Sequence, residues 1–111
     1  MKIEITKSNC EQAIRENWLG EATEVTVRDC PALAAINAPN AAKVDVGYCP
    51  ALTAIHASKA EKVIVWDCPA LAEIRAPEAE KVDVRDCTTL TTLNAPYASN
   101  VDAWNCPKLK R

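Results

Sequence analysis

The sequence predicts a small β-solenoid, in which short parallel strands stack coil upon coil and a second extended segment runs along the other side of each coil. Three observations predict it. The six cysteines, Cys10, Cys30, Cys49, Cys68, Cys87 and Cys106, are spaced once by 20 residues and then four times by 19. From Cys30 onward an alternating apolar pair precedes each one: Val25 and Val27, Val44 and Val46, Val63 and Val65, Val82 and Val84, Val101 and Ala103. A leucine follows three residues after each (Leu33, Leu52, Leu71, Leu90, Leu109), then Ile36, Ile55, Ile74 or Leu93, then Ala38, Ala57, Ala76 or Ala95. A fixed period held in several columns at once marks a stacked-repeat architecture.

Residues 1–22 break the pattern and read as an N-terminal cap, ahead of five repeats over 23–111 in a single domain. Ile3 and Ile5 predict a first strand. Ser8 followed by Glu11 has the spacing of a capping box, and Cys10, Ala13, Ile14 and Trp18 lie near one helical face. A helix over roughly 9–19 follows, with Gly20 as its stop. Such a helix would cover the open end of the sheet, which otherwise invites strand addition. The C-terminal stretch from Pro107 to Arg111 has no comparable cap. Either its basic residues protect that edge, or the edge pairs with another copy.

Within a repeat, the V-x-V segment alternates with period two and is β-branched, so it predicts a short strand with its valines inward. The Cys-Pro step is expected to end that strand, because proline has no N–H for a ladder. The L-x-x-I-x-A segment turns the chain and returns as a second extended stretch. A further corner falls at Pro39, Ser58, Pro77 and Pro96. A lone coil would not stand. Each buried apolar side chain contributes about 1.5–3 kcal/mol, while ordering each residue costs about 1.5 kcal/mol. Stacking the coils into one shared core changes that balance.

Segments such as 41–52 (AAKVDVGYCPAL) and 60–71 (AEKVIVWDCPAL) resemble the leucine-rich-repeat core L-x-x-L-x-L-x-x-C-x-x-L, with alanine for the first leucine and valines for the next two. The resemblance covers about residues 22–111. The repeat is shorter than most of that family, and its convex side looks extended where a helix is often found. The family implies a right-handed solenoid with a parallel sheet on one face, commonly used to bind proteins. It implies no chemistry.

Composition narrows the function. A net charge of −2 argues against an electrostatic nucleic-acid binder. No apolar stretch is long enough to span a membrane and the polar start has no signal-peptide core, so a cytoplasmic protein is expected. Two glycines leave little room for a phosphate-cradling loop. No nucleophile–base pair and no metal-ligand cluster stands out, so no enzyme, cofactor or metal site is expected. Three readings compete for the cysteines. Disulfides suit parallel, in-register side chains poorly; metal sites want clustered pairs and histidine partners, and the single His56 belongs to another column. The third is a structural ladder of small buried thiols at Cys30, Cys49, Cys68, Cys87 and Cys106, and it is the reading preferred here.

The repeats hold the inward columns constant, which leaves information to the outward ones. Between the valines run Thr26, Asp45, Ile64, Asp83 and Asp102. After them run Arg28, Gly47, Trp66, Arg85 and Trp104. Before the cysteine run Asp29, Tyr48, Asp67, Asp86 and Asn105, and before the first valine Glu24, Lys43, Lys62, Lys81 and Asn100. Stacked in order, Trp66, Arg85 and Trp104 place a guanidinium between two indoles. Gly47 leaves a notch beside Trp66, with Tyr48 and Ile64 at its edge. Trp, Tyr and Arg are enriched at interface hot spots, and an exposed aromatic patch marks an interaction site. The expected function is therefore a non-catalytic protein-binding module, an adaptor or small inhibitor, using Trp66, Arg85, Trp104, Tyr48, Ile64, Asp45 and Asp83. The bland alternative is that these aromatics only cover the sheet. A second function class is a structural element that self-associates through its C-terminal edge. The lysine column is expected to pair locally with Asp45, Asp83 and the other acids, and Asn37, His56, Arg75 and Asn94 form a mixed polar face opposite.

Overall fold

The structure, a computed structural model, describes residues 1–109. Each V-x-V segment forms a five-residue strand: β2 (Glu24–Arg28), β4 (Lys43–Gly47), β6 (Lys62–Trp66), β8 (Lys81–Arg85) and β10 (Asn100–Trp104). Each returning segment forms a three-residue strand: β3 (Ala35–Asn37), β5 (Ala54–His56), β7 (Glu73–Arg75) and β9 (Thr92–Asn94). With β1 (Lys2–Ile5) they make two parallel sheets, ordered β1-β2-β4-β6-β8-β10 and β3-β5-β7-β9. Register follows the repeat without a slip: Val25, Val44, Val63, Val82 and Val101 are successive partners, as are Ile36, Ile55, Ile74 and Leu93. The expected β-solenoid of about five coils is the fold.

The corners differ from expectation in one respect. Strands of the larger sheet end two residues before each cysteine, and the chain turns there through a left-handed residue. Asp29, Tyr48, Asp67, Asp86 and Asn105 have φ of 55°, 57°, 54°, 55° and 56°. The N–H groups of the first four still reach the neighbouring coil, as Tyr48 N–H does at Trp66 O, 3.2 Å. The Cys-Pro step therefore follows the bend and closes a second turn, in which the leucine N–H donates to the cysteine carbonyl (Leu52 to Cys49, 3.2 Å; Leu71 to Cys68, 3.1 Å). Proline fits the second position of such a turn because its φ is preset. The opposite corner repeats the device, with Ala79 N–H donating to Ala76 O across Pro77, 3.0 Å.

Between the sheets lies one core. The valine, leucine, isoleucine and alanine columns of the middle coils are fully buried, and among the described residues no polar or charged side chain is buried with them. Cys49, Cys68 and Cys87 stand in this core as free thiols. Each donates to the carbonyl two residues back, at Gly47, Trp66 and Arg85, 3.5, 3.6 and 3.4 Å. The column thus combines a small apolar volume with a weak donor at the bend. Cys106 does the same at Trp104 O, 3.5 Å, but is only half-buried.

Cys30 departs from that ladder. It is joined to Cys10 in a disulfide with a Cα–Cα separation of 5.6 Å, where a row of unpaired thiols was expected. The argument against disulfides concerned parallel side chains in neighbouring strands. Cys10 lies on a helix that approaches the first coil from outside the stack, so that argument does not reach it.

The cap is shorter and differently closed than predicted. Helix α1 covers Cys10–Arg15, and a single 3-10 turn follows at Trp18–Gly20. Its buried face is Cys10 and Ala13, while Ile14 is 42 % exposed. The capping box does not form: Asn9 is the N-cap and no side chain caps the helix. Asn9 Oδ1 instead accepts the Thr6 N–H, 2.7 Å, and Asn9 Nδ2 donates to Glu4 O, 3.1 Å, which ties the helix start to the end of β1. Asn17, at φ 52°, ends the helical run; Gly20 has no positive φ. Strand β1 extends the larger sheet, and the 3-10 turn packs against β3, the outer strand of the smaller one. At the other end nothing described covers the last coil. Val101, Ala103, Leu93 and Leu109 are only partly buried, where their counterparts Val82, Val84, Ile74 and Leu90 are fully so.

Candidate functional site

The outward columns of the larger sheet meet around Trp66. Gly47 is its partner across β4 and β6, and it has an ordinary backbone φ. Its role is clearance: a Cβ built there would stand 3.0 Å from Trp66 Cε2, 3.2 Å from Nε1 and 3.3 Å from Cδ2. The indole therefore lies down over the glycine and reaches the coil beyond. There the Arg28 guanidinium stacks on it, 4.8 Å from the ring centroid. Tyr48 meets the ring edge-on, with centroids 4.8 Å apart and planes at 64°.

This corrects the expected stack. The cation on Trp66 is Arg28, not Arg85, and Arg85 is not held between Trp66 and Trp104. The glycine decides the direction in which Trp66 folds. Arg85 instead donates from Nε to Asp83 Oδ1, 3.3 Å, within its own coil. Trp104, whose partner across the strand is Arg85 rather than a glycine, has no such bed and is 63 % exposed.

Charge on this face is also paired differently from expectation. Arg28 Nη2 lies 3.0 Å from Asp45 Oδ1, and its Nη1 donates to Val27 O and Asp45 O, 3.1 and 3.3 Å. Trp66 Nε1 adds a long contact to the same Asp45 oxygen, 3.5 Å. Among the described residues Lys43, Lys62 and Lys81 make no ion pair; the two arginines neutralise Asp45 and Asp83 in their place. Lys43, Lys62 and Lys81 stack in register along one margin of the sheet.

An open depression of about 300 Å³ runs along this face, lined by Arg28, Asp45, Ile64, Trp66, Asp83 and Arg85 among others. A second, of about 250 Å³, continues from Arg85 to Asp102 and Trp104. The sequence-predicted residues Trp66, Tyr48, Ile64, Asp45, Asp83 and Arg85 are thus one neighbourhood, with Trp104 at its C-terminal margin. Arg28 was missed as a member. The glycine at 47 was the available signal, since in their shared column it removes the side chain that would stand between Arg28 and Trp66.

Tyr48 is the anomaly of the site. Every other residue at its column is Asp or Asn, the non-glycine types that best tolerate the left-handed region. A bulky aromatic there is strained by about 1–2 kcal/mol. It is 44 % exposed, so core packing does not require it.

The smaller sheet carries a polar cluster centred on Glu73. Glu73 accepts from Arg75 Nε, 2.7 Å, and pairs with His56 Nε2, 3.2 Å. The His56 bond, then the Arg75 bond, hold its carboxyl below the usual range. A depression of about 320 Å³ beside it is lined by Asn37, His56, Arg75 and Asn94 among others. Inside the core, burial pushes the Cys87 thiol up to about 11. Among the described residues no group of three or more His, Cys, Asp or Glu side chains gathers as metal ligands.

Comparison with protein-family models, with curated protein sequences and with solved structures found no match to this chain. The resemblance to leucine-rich repeats accordingly rests on the residues of the repeat.

Proposed function

We propose that this protein is a non-catalytic protein-binding module, an adaptor or inhibitor type of molecule related in its repeat to leucine-rich repeats. Its binding surface is the aromatic face of the larger sheet. One observation carries the proposal: Tyr48 occupies a left-handed position that every other coil gives to Asp or Asn, and it remains exposed beside Trp66. The edge contact with Trp66 offsets only part of the strain at this exposed aromatic, and such strain collects at functional sites. Trp, Tyr and Arg together are also the usual anchors of interfaces.

The test is recovery of native partners from lysate on immobilised wild-type protein and on a variant with Trp66, Arg85 and Trp104 all changed to alanine. Loss of a specific partner on the variant is the expected result. Equal recovery of every partner would remove the face from consideration.

The last coil favours a second reading, self-association. Its core columns are half-exposed, and it carries the two most exposed aromatic residues, Tyr97 at 78 % and Trp104 at 63 %. A mass by light scattering that rises with concentration supports that reading, and a strict monomer at high concentration removes it.

A further inference from the structure

On the binding face proposed above, Asp45 is paired with Arg28 and Asp83 with Arg85. Asp102, the third acid of the same column, has no ion pair among the described residues and is exposed. Two residues further along the same strand, and so on the same side of the sheet, stands Trp104, the most exposed indole of the chain. The two share the depression of about 250 Å³ that Arg85 closes on its other side. Arg85 lines the same depression, but its one ion pair among the described residues is to Asp83, 3.3 Å, and the cation stacked on an indole of this face is Arg28 on Trp66.

The interior of the face already shows what such a pair of groups holds. Around Gly47, an indole and a carboxylate receive one guanidinium: Arg28 stacks on Trp66 at 4.8 Å and pairs with Asp45 at 3.0 Å. From this we infer that Asp102 and Trp104 form the receiving site for an arginine side chain of the protein partner, the same recognition completed in trans. Arginine fits better than lysine. Its planar cation stacks on an aromatic face while its edge donates to a carboxylate, whereas an ammonium is a compact, strongly hydrated point charge. The site rests on the reading of the sheet face as a binding surface. It adds the chemistry of one contact: an exposed arginine on a loop or strand that reaches the C-terminal margin of the sheet.

The probe is N-acetylargininamide, titrated at constant ionic strength while the Trp104 indole N–H resonance is followed, with N-acetyllysinamide and the uncharged N-acetylcitrullinamide as controls. The arginine derivative is expected to shift that resonance, the lysine derivative to do so at most about half as strongly, and citrulline not at all. Asp102→Asn should weaken the response about two- to fivefold, the range of an exposed ion pair. Both Asp102 and Trp104 are exposed, so the amide spectrum of the variant reports an unchanged fold. A silent Trp104, an equal response to citrulline or lysine, or a response indifferent to Asp102→Asn overturns the inference. The two readings separate cleanly. A native partner lost on the triple alanine variant but held equally by Asp102→Asn keeps the face and removes this site. A partner indifferent to both variants removes the face and, with it, this site as a partner contact, even where N-acetylargininamide docks at Trp104.

Discussion

Replacing Gly47 by alanine sets two opposing effects against each other in one methyl group. The backbone at Gly47 has no positive φ, so alanine is free to adopt it. Removing the flexibility of a strand glycine stabilises by about 0.5–1 kcal/mol. Yet the new Cβ would meet Trp66 Cε2 at 3.0 Å and Nε1 at 3.2 Å, distances the ring can relieve only by lifting. Lifting surrenders the stack on Arg28, about 0.5–1 kcal/mol, and the edge contact with Tyr48, about 0.5–1.5 kcal/mol. The Arg28–Asp45 pair is expected to survive, since the three atoms nearest the new Cβ all belong to Trp66. The balance is a net loss of roughly 1 kcal/mol, or about 4–6 °C in midpoint for a domain of this size. In a background with Trp18 and Trp104 changed to phenylalanine, urea unfolding followed by fluorescence reads the stability and the environment of Trp66 together. The expected outcome is a lower midpoint with a red-shifted native emission. A variant stabilised by the full gain of glycine to alanine, with unshifted emission, would refute the packing of the indole on Gly47.

Three further outcomes follow from the same geometry. A double-mutant cycle between Arg28→Gln and Trp66→Leu should show a coupling of about 0.5–1 kcal/mol in unfolding free energy, while the cycle between Arg85→Gln and Trp66→Leu should show none. Reversed couplings would restore the stack expected from sequence. Opening the Cys10–Cys30 disulfide, by reduction or by serine at both positions, releases a loop of 20 residues and should cost about 3 kcal/mol; an unchanged thermal midpoint in reductant contradicts it. Burial holds the Cys87 thiol at about 11 against an ordinary 9.0, so the folded chain keeps a proton that the unfolded chain gives up. That contribution to stability is intact below pH 9 and is lost as pH rises toward 11, by about 3 kcal/mol at the upper end. Cys87→Ala should flatten the alkaline limb of a denaturation-midpoint profile, and parallel limbs for the two proteins would refute the assignment.

The solenoid was legible because its signal is redundant. Valines at 25 and 27 alone read as any strand; the same pair recurring with its leucine, isoleucine and alanine four periods on leaves one way to bury all of them. The face was legible only as a set of columns. In-register stacking correctly brought Trp66, Tyr48, Ile64, Asp45 and Asp83 together, but it assumed side chains that rise straight from the sheet. Trp66 folds toward whichever neighbour is smallest, so Gly47 directs it to Arg28 and away from Arg85. The corner was misread because proline is conspicuous, whereas a column of Asp, Tyr, Asp, Asp and Asn signals its left-handed bend only through the tolerance of Asp and Asn for that region. The disulfide was missed for a different reason. The cap lies outside the repeat, and no in-register argument describes the direction from which its helix brings Cys10.

The central claim, that the aromatic face is kept for binding and not for covering the sheet, is tested most directly at Tyr48. Tyr48→Asn gives this coil the residue type of its column, relieving about 1–2 kcal/mol of left-handed strain against an edge contact of about 0.5–1.5 kcal/mol. Unfolding free energy and retention of native partner are to be measured on the same preparation. The account predicts a protein as stable as wild type, or more stable by up to about 1 kcal/mol, that retains its partner at least about tenfold more weakly, as expected for loss of a hot-spot tyrosine. A variant that is clearly destabilised yet binds as wild type would show that Tyr48 serves the fold, and would contradict the claim.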